Sequence, residues 1–396
     1  MPLVAGWCLT YNVVDVDLTG NYAYLTDGDY LRTVNVSDPS HPQHAARFEQ
    51  PGTITAVTIS GNIAVVGSFQ DVDTAWVSKV TLYNISNPDS LIRLEDCDLP
   101  DVPQDFEVRD SLIFVADQIG GLRILHCGNP ESIYEISSVT TPDFAFGVKL
   151  SGNYAYVADY QRGLRVISIQ DPVHPLEIGF YDTPGFSMDV DVDGAYAYVA
   201  DYTSGLRIID VSNPVNPHEV GFLDTPGTMS HVVKSGIYAY LADYSEGIRI
   251  VNVSNSLAPH EVGYYNTQGN ASRITVNGNH LFVADGGNLG IYDCSQALGV
   301  VDRVGDGIPQ ECSLKQNYPN PFNATTTIEY TIPKTGAVDL KLYDVSGREV
   351  ATLVNFHQNP GMYTVTFDGK SLSTGTYFLR LQSGNFTQTS KLLLLK

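Results

Sequence analysis

The sequence predicts an all-β protein, in which a seven-bladed β-propeller closed by its N-terminal strand precedes a small Ig-like antiparallel β-sandwich. Asp residues stand at a constant interval of 42, each after an apolar run ending in Ala: Asp117, Asp159, Asp201, Asp243 and Asp285. A repeat of roughly 40 to 45 residues holding several short strands is typical of propeller blades. From residue 316 onward this period is replaced by segments of alternating polarity, which predict the sandwich.

Residues 188–226 show the repeating unit. The segments 188–193, 195–200, 206–211 and 218–223 are rich in β-branched and aromatic residues, and Gly, Pro, Asn and Asp separate them. Such segments predict four strands, a to d, of one antiparallel blade. Proline supports the turns because it has no N–H to give to a central strand.

The same unit recurs around Asp27, around Gly67 and at the five periodic Asp residues, which makes seven b–c hairpins. The segment 2–7 aligns with a strand d but lacks strands a, b and c, whereas the last repeat, 273–294, lacks strand d. We therefore expect the N-terminal strand to complete the seventh blade. Such closure removes the strand edges that would otherwise be exposed.

The C-terminal module has four segments that predict strands: 327–332, 338–343, 363–367 and 377–381. Strands at this spacing favour a small antiparallel sandwich. Residues 299–315 show neither pattern and are interpreted as a linker. The predicted division is therefore a propeller at 1–298, a linker at 299–315 and a sandwich at 316–396.

Charge is divided unevenly along the chain. The net charge is −22, yet from Ser313 onward eight Lys and Arg face five Asp and Glu, so the preceding 312 residues carry −25. A body this acidic repels nucleic acid and anionic membrane surfaces. No apolar run approaches the roughly 18 residues of a membrane span. Residues 1–10 contain no visible export signal peptide.

The five cysteines do not predict a metal site. They are an odd number and none has the CxxC spacing of a zinc site. Cys8 and Cys294 would lie on neighbouring strands if the ring closes. Their alignment does not place them directly opposite, so the sequence leaves a disulfide between them open.

The repeating Asp of strand b is accompanied by an Arg on strand c: Arg123, Arg165, Arg207 and Arg249. A ring of ligand contacts is one interpretation. Because the same residues recur in nearly every blade, the sequence favours a structural role, in which each Asp caps its turn or pairs with a nearby Arg.

Departures from the repeat point to a candidate ligand site. One position of strand a varies from blade to blade: Asp15, Ala56, Asp105, Gly147, Asp189, His231 and Arg273. If strand a is innermost, these residues surround one mouth of the central channel. The d–a and b–c loops open on the same face and add Tyr160, Tyr202, Tyr244 and Phe186.

We expect the acids, His231 and Arg273, together with the three tyrosines, to be able to hold a small polar ligand or a sugar. The alternative is the ordinary solvated polarity of a channel mouth, with each Tyr covering only its own blade.

No catalytic constellation or cofactor motif is visible. The chain has no G-x-S-x-G, no H-E-x-x-H and no phosphate-binding glycine loop. Residues 189–194 resemble the start of a calcium loop, but its twelfth position is Ala200 instead of the bidentate Glu that calcium needs. The sequence therefore predicts no catalytic residues, no metal and no cofactor.

The repeats read A-Y-V-A-D-Y-x-x-G-L-R followed by two β-branched residues, with an Asn-Pro or Asp-Pro turn after strand c. They resemble the LVIVD-repeat propellers of bacterial and archaeal surface proteins. The resemblance covers the propeller and implies a secreted or surface location more than a chemistry.

The tail resembles the C-terminal (type A) sorting domain of the type IX secretion system found in Bacteroidetes-type bacteria. The resemblance rests on the segments 316–323, 343–348, 361–363, 373–378 and 391–396. The matching motif residues are Asn317, Pro319, Asn320, Pro321, Phe322, Asn323, Gly347, Arg348, Gly375, Tyr377, Lys391 and Lys396.

The family resemblance implies recognition by an outer-membrane translocon after Sec export, followed by cleavage or attachment to surface lipopolysaccharide. Such cargo needs an N-terminal export signal. None is visible in residues 1–10, so either the chain is trimmed at its start or its gene model is incomplete, and a propeller that begins at residue 2 without a leader favours a trimmed start.

Two functions remain open at this point. The favoured one is an extracellular or cell-surface binding or scaffold module, with a glycan or a protein as partner and without enzymatic activity. The alternative is a surface lyase or hydrolase with His231 as base, Arg273 as anion clamp and Asp105 or Asp189 as their partner.

Overall fold

The computed structural model describes residues 3–72, 75–129, 132–278, 280–294, 301–303, 309, 311–323, 325–334, 336–358, 360–369 and 372–395. Within these ranges every regular element is a β-strand. The predicted all-β class is confirmed, and the strands form successive antiparallel sheets in chain order.

After the first strand, β1 (Leu3–Val13), six blades follow, each a four-stranded sheet whose strands pair in sequence order. Blade 1 comprises β2 (Val16–Thr19), β3 (Tyr22–Asp27), β4 (Tyr30–Asn35) and β5 (Gln43–Glu49). Blade 2 comprises β6 (Thr53–Ser60), β7 (Ile63–Val72), β8 (Ala75–Asn84) and β9 (Ile92–Leu99). Blade 3 comprises β10 (Asp105–Arg109), β11 (Leu112–Ala116), β12 (Leu122–Asn129) and β13 (Ser132–Val139). Blade 4 comprises β14 (Gly147–Ser151), β15 (Tyr154–Ala158), β16 (Leu164–Ser168) and β17 (Leu176–Tyr181). Blade 5 comprises β18 (Asp189–Asp193), β19 (Tyr196–Ala200), β20 (Leu206–Asp210) and β21 (His218–Leu223). Blade 6 comprises β22 (His231–Ser235), β23 (Tyr238–Ala242), β24 (Ile248–Asn252) and β25 (His260–Tyr265).

The seventh blade joins both ends of the propeller. It contains β26 (Ala271–Asn277) and β27 (His280–Asp293), a long element that supplies strands b and c, and β1 pairs with its second half. Leu3 lies opposite Tyr292 and Trp7 opposite Leu289. The predicted closure by the N-terminal strand is therefore confirmed.

The disulfide that the sequence left open does not form. The register of β1 places Cys8 opposite Asn288. Cys294 is a free, buried thiol, and burial raises its pKa to about 11.

The first strands of the blades form a closed ring around a central channel. β2, β6, β10, β14, β18, β22 and β26 each contact the next, and β26 contacts β2. One position of these strands is apolar and buried in every blade: Val16, Val57, Phe106, Val148, Val190, Val232 and Ile274. These side chains pack between neighbouring blades, as where Val190 of blade 5 contacts the core of blade 4 around Tyr156. The interface between blades therefore fixes which way strand a faces the channel.

The C-terminal module is a two-sheet sandwich. One sheet has the order β28 (Val301–Arg303), β33 (Gly361–Asp368), β30 (Thr325–Ile332) and β29 (Ser313–Leu314). The other has the order β32 (Glu349–Gln358), β31 (Gly336–Tyr343), β34 (Gly375–Ser383) and β35 (Phe386–Leu394), and one bridge from β32 to β25 connects it to blade 6. A shared apolar cluster, which includes Ile328, Leu340 and Leu379, fills the space between the sheets. β28 and β29 fall in the segment 299–315, and the division of the chain at 298 and 315 stays a prediction.

Candidate functional site

In blades 4 to 7 the repeating Asp residues tie the b–c turn to the loop that enters the same blade. Asp243 accepts hydrogen bonds from Thr225 Oγ1 at 2.7 Å and from the Gly227 N–H at 3.1 Å. Asp285 repeats the pattern with Thr267 and Gly269 at 2.6 and 3.0 Å. These carboxylates are fully or almost fully buried. Their hydrogen bonds support the structural interpretation of the repeat.

Blade 2 replaces this arrangement with neutral groups. The pairing of Ala56 with Gly67 puts Ser68 where other blades have Asp, and Thr81 stands in the place of Arg. The Gln50 amide, from the entering loop, donates to Ser68 Oγ at 3.2 Å and to Thr81 Oγ1 at 2.9 Å, and accepts from the Tyr83 hydroxyl. Gln50 therefore joins the same turn and loop without charge.

Blade 3 keeps the Asp and Arg but lacks the hydroxyl. Leu99 stands where other entering loops have Thr, and neither carboxylate oxygen of Asp117 has a hydrogen-bond partner in the described chain. The nearest cation is Arg123, whose Nε lies 3.5 Å away. Burial raises the pKa of Asp117 to about 8, so this carboxyl carries a proton at neutral pH.

In the channel, the three predicted acids form hydrogen bonds between blades. Each accepts a backbone N–H from strand a of the next blade at 2.8 to 2.9 Å: Asp15 from Val57, Asp105 from Val148 and Asp189 from Val232. Burial raises the pKa of Asp15 and of Asp189. These carboxylates therefore help to hold the ring of innermost strands together.

Arg273 supplies the positive charge that faces these acids. Its Nη1 donates to Asp105 Oδ1 at 2.8 Å and its Nη2 donates to the Gln104 carbonyl at 2.7 Å. Its Nε lies 3.8 Å from Asp15 Oδ1. The guanidinium is thus engaged by groups of the protein itself.

His231 is also bound within the ring. Its Nδ1 accepts the Ile274 N–H at 3.4 Å, which leaves the ring proton on Nε2, 3.4 Å from Asp189 Oδ2. Burial, together with the charge of Arg273, lowers the pKa of His231 to about 3. The imidazole is therefore neutral and a weak base.

A second polar layer lies two residues further along strand a: Asp17, Glu107, Lys149 and Asp191. Lys149 Nζ lies 2.8 Å from Glu107 and 3.6 Å from Asp191, so this layer also contains its own counterion. Both layers line a channel cavity of about 340 Å³. Sequence reasoning missed the second layer, although the period of two along an inward-facing strand predicts it.

The aromatic residues of the same face form a separate depression of about 560 Å³, the aromatic depression, lined by Phe144, Phe146, Tyr160, Phe186 and Tyr202 with Gln118 and Met188. The rings of Tyr160 and Phe186 stack with centroids 4.6 Å apart, and Tyr202 lies 5.9 Å from Phe186. Tyr244, 43 % exposed, is not among the lining residues. Sequence reasoning missed Phe144, although it stands 42 residues before Phe186.

The predicted ligand residues therefore occupy two places. Asp15, Asp105, Asp189, His231 and Arg273 come together in the channel, and Tyr160 and Tyr202 lie in the aromatic depression. Whether either place binds a ligand stays a prediction. Among the described residues, no group of three or more His, Cys, Asp and Glu is arranged to hold a metal ion.

The sorting-motif residues hold the last strand of the sandwich. The Asn320 side chain donates to the Lys391 carbonyl at 3.0 Å and accepts the Leu393 N–H at 2.9 Å. Phe322 is buried, and its backbone bonds Leu393 and Leu395. Thus the start and the end of the sandwich are fastened to each other.

The remaining motif residues sit at turns and termini. Asn317 is buried and donates to Thr326 Oγ1 at 2.9 Å, and cis peptide bonds precede Pro319 and Pro321. Gly347 has a left-handed φ of 82°, and the side chain of Arg348 next to it bonds Asp344. Tyr377 in β34, two residues after Gly375, donates to the Ser373 carbonyl; Asn323 is exposed. Lys396 lies outside the described residues.

Tyr318 was not among the predicted site residues. It lies between two motif residues and is 81 % exposed, so its ring is open to a partner. The described residues contain no helix of the length and apolar character needed to cross a membrane.

Comparison with protein families finds the LVIVD repeat at residues 12–49, 104–141, 144–183, 184–225, 226–267 and 268–297. These stretches leave out blade 2, where neutral groups replace the Asp and the Arg. The secretion system C-terminal sorting domain matches residues 316–395. This domain implies export to the extracellular or cell-surface side and an interaction with the type IX secretion machinery.

Comparison with curated proteins finds no match. Among solved structures, the chain is similar to the computationally designed Ika8 protein, with 9 % identity and a TM-score of 0.52, over 72 % of this chain and 97 % of that chain. At this identity the likeness concerns the fold alone. The chain belongs to the LVIVD-repeat family and carries a secretion system C-terminal sorting domain in residues 316–395.

Proposed function

We propose that this protein is a binding or scaffold module without enzymatic activity, delivered to the outer cell surface by its sorting domain. The observation that carries the proposal is the pairing of the channel groups with one another. Arg273 bonds Asp105, and the acids of the first layer bond the backbone of the next blade.

The enzyme alternative has less support. A general base works best when its pKa lies near the operating pH, and the pKa of His231 is about 3. An anion clamp needs free donors, and Arg273 already donates to Asp105 and to the Gln104 carbonyl. A substrate would have to break these bonds before it could use either residue.

The acidity of the propeller supports a surface role. The net charge of −22 keeps the chain soluble and disfavours association with anionic lipid or lipopolysaccharide by the propeller itself. Attachment then falls to the sorting domain, whose strand β35 is fastened by Asn320 and by the backbone of Phe322.

The proposal is tested by export of the full chain from a cell with a type IX secretion system. We expect the full chain on the cell surface and a chain lacking residues 313–396 retained inside the outer membrane. A surface amount that does not change on this deletion would contradict delivery by the sorting domain. Periplasmic amounts of both chains control for expression and Sec export.

The choice between module and enzyme is tested with His231→Asn. Asn keeps a neutral acceptor for the Ile274 N–H, so the propeller should fold and retain any partner. A hydrolase or lyase activity on surface polymers that wild type has and His231→Asn loses, at unchanged unfolding midpoint, would favour the enzyme.

A further inference from the structure

The aromatic depression differs from the channel because its rings are not required by the repeat. At the position of Phe186 in the entering loop, other blades have Val102, Thr228 and Asn270. Only the loops entering blades 4 and 5 have Phe at this position among the five blades that share the interval of 42. Blades share the same packing needs, so an aromatic sector confined to one place is not explained by folding.

The backbone of two of these residues is unfavourable for a tyrosine. Tyr160 and Tyr202 have left-handed φ values of 42° and 50°. In blades 1 and 7 the same position, directly after the repeating Asp, is Gly28 and Gly286, with φ values of 64° and 61°. Glycine adopts this conformation without strain, whereas an L side chain does not. Tyr244 in blade 6 shares this conformation, with a φ of 47°, so the strain belongs to the b–c turns, and the depression is distinguished by the phenylalanines of its entering loops.

The backbone also fixes where these rings point. Tyr160 bridges Ser187 and Tyr202 bridges Met229, each joining a b–c turn to the loop that enters the next blade. The Tyr160 ring lies against Phe186, and the Phe146 ring lies 5.4 Å from it in a tilted arrangement. The rings form a platform whose partly exposed faces line one depression.

The polar groups beside this platform are neutral. No charged side chain lines the depression. Within the described chain, no hydrogen bond is formed by the side-chain amide of Gln118 or by the hydroxyls of Tyr160 and Tyr202. The face of an aromatic ring carries partial negative charge and attracts weakly positive C–H groups. A sugar ring offers C–H groups on its face and hydroxyls at its edge, which matches rings flanked by neutral donors and acceptors.

We propose that the aromatic depression is a carbohydrate-binding site that stacks a neutral glycan on Tyr160 and Phe186, with Gln118 and Tyr202 bonding its hydroxyls. The net charge of −22 disfavours an acidic polysaccharide at this face. This inference rests on the proposed binding role and specifies the class of ligand.

The test uses affinity electrophoresis of the full chain in gels containing dextran, laminarin, mannan or xylan, with alginate and chitosan as acidic and cationic counterparts. The variants are Tyr160→Gly, which suits the left-handed φ, and Phe186→Ala. The matched control is Tyr244→Gly, which changes an equivalent Tyr with a φ of 47° outside the depression.

We expect at least one neutral polysaccharide to retard the wild type, and each depression variant to bind it roughly tenfold more weakly, since each removes one face of the stack. Tyr244→Gly should bind like the wild type. Equal retardation of Tyr160→Gly and wild type, retardation by chitosan or alginate alone, or no retardation by any polymer would overturn the proposal. Those failures would leave surface export and the His231→Asn result untouched, so they are distinct from failure of the proposed function.

Discussion

Arg273 of blade 7 reaches across the channel to Asp105 of blade 3, with 2.8 Å between Nη1 and Oδ1. The two residues are 168 positions apart in the chain, and both are largely withdrawn from solvent. One cation thus braces blades that share no interface. The acids it faces also accept backbone N–H groups from the next blade, Asp15 from Val57 and Asp105 from Val148.

Replacing Arg273 with Met should destabilise the propeller strongly. Asp15, Asp105 and Asp189 would remain buried without the cation that faces them, and removing one partner of a buried pair costs about 3–5 kcal/mol. The measurement is the urea midpoint of the propeller transition at pH 7. The loss should shrink as the pH falls, because the raised pKa values of Asp15 and Asp189 favour their protonation. An equal urea midpoint for the wild type and Arg273→Met at pH 7 would show that the ion pair of Arg273 with Asp105 does not stabilise the propeller.

The stability of the propeller should fall as the pH rises from 5 to 8. The pKa of Asp117 is about 8 in the folded chain and about 4 when unfolded, so the folded state binds more protons within this window. Its contribution has a slope of at most about 1.4 kcal/mol for each pH unit. Equilibrium unfolding in urea at several pH values measures it.

Asp117→Asn should flatten this pH dependence and stabilise the propeller at pH 8, because no hydrogen bond to the Asp117 carboxylate is lost. Asp243→Asn is the matched control. It weakens bonds from Thr225, Gly227 and Arg249, and should destabilise at every pH. A pH slope that Asp117→Asn leaves unchanged would assign the dependence to other carboxyls.

Removing residues 1–13 should open the ring. The second half of β27 would then have an unpaired edge, which favours pairing with another chain. We expect a lower unfolding midpoint and concentration-dependent dimers in sedimentation. A peptide of residues 2–13 added in trans should restore the monomer by strand addition. A truncated chain that stays monomeric and equally stable would refute the role of β1.

Tyr244→Gly should stabilise the protein by up to about 1 kcal/mol, because glycine removes the strain of a left-handed φ of 47°. Tyr160→Gly should gain less, since it also loses the stack on Phe186, worth about 0.5–1.5 kcal/mol. Denaturant unfolding of both variants gives the comparison. Equal gains would mean that the stack adds nothing to stability.

The propeller architecture could be predicted from the sequence because each blade is formed by a contiguous segment and the same sequence pattern recurs from blade to blade. An interval of 42 between Asp residues needs no knowledge of the three-dimensional contacts. The closure by β1 was also predictable, since the missing strands at the two ends of the propeller are complementary.

The state of the channel groups could not be predicted in the same way. That Asp189 bonds the Val232 N–H depends on the register between blades, and that Arg273 meets Asp105 depends on the diameter of the ring. The pattern placed these residues on one face but gave no account of their partners. The role of Gln50, which replaces Thr in the loop that enters blade 2, could not be predicted either. This role depends on its hydrogen bonds to Ser68 and Thr81.

The pairing of β1 with β27 joins the earliest and the latest synthesised parts of the propeller. Loop closure over this sequence separation is entropically costly and gives the fold a high contact order, so this step is slow compared with forming single blades. During synthesis, β1 cannot pair with β27 and close the ring of blades until the final repeat has emerged. Until then the blades that have formed make an open arc with an unpaired strand at each end.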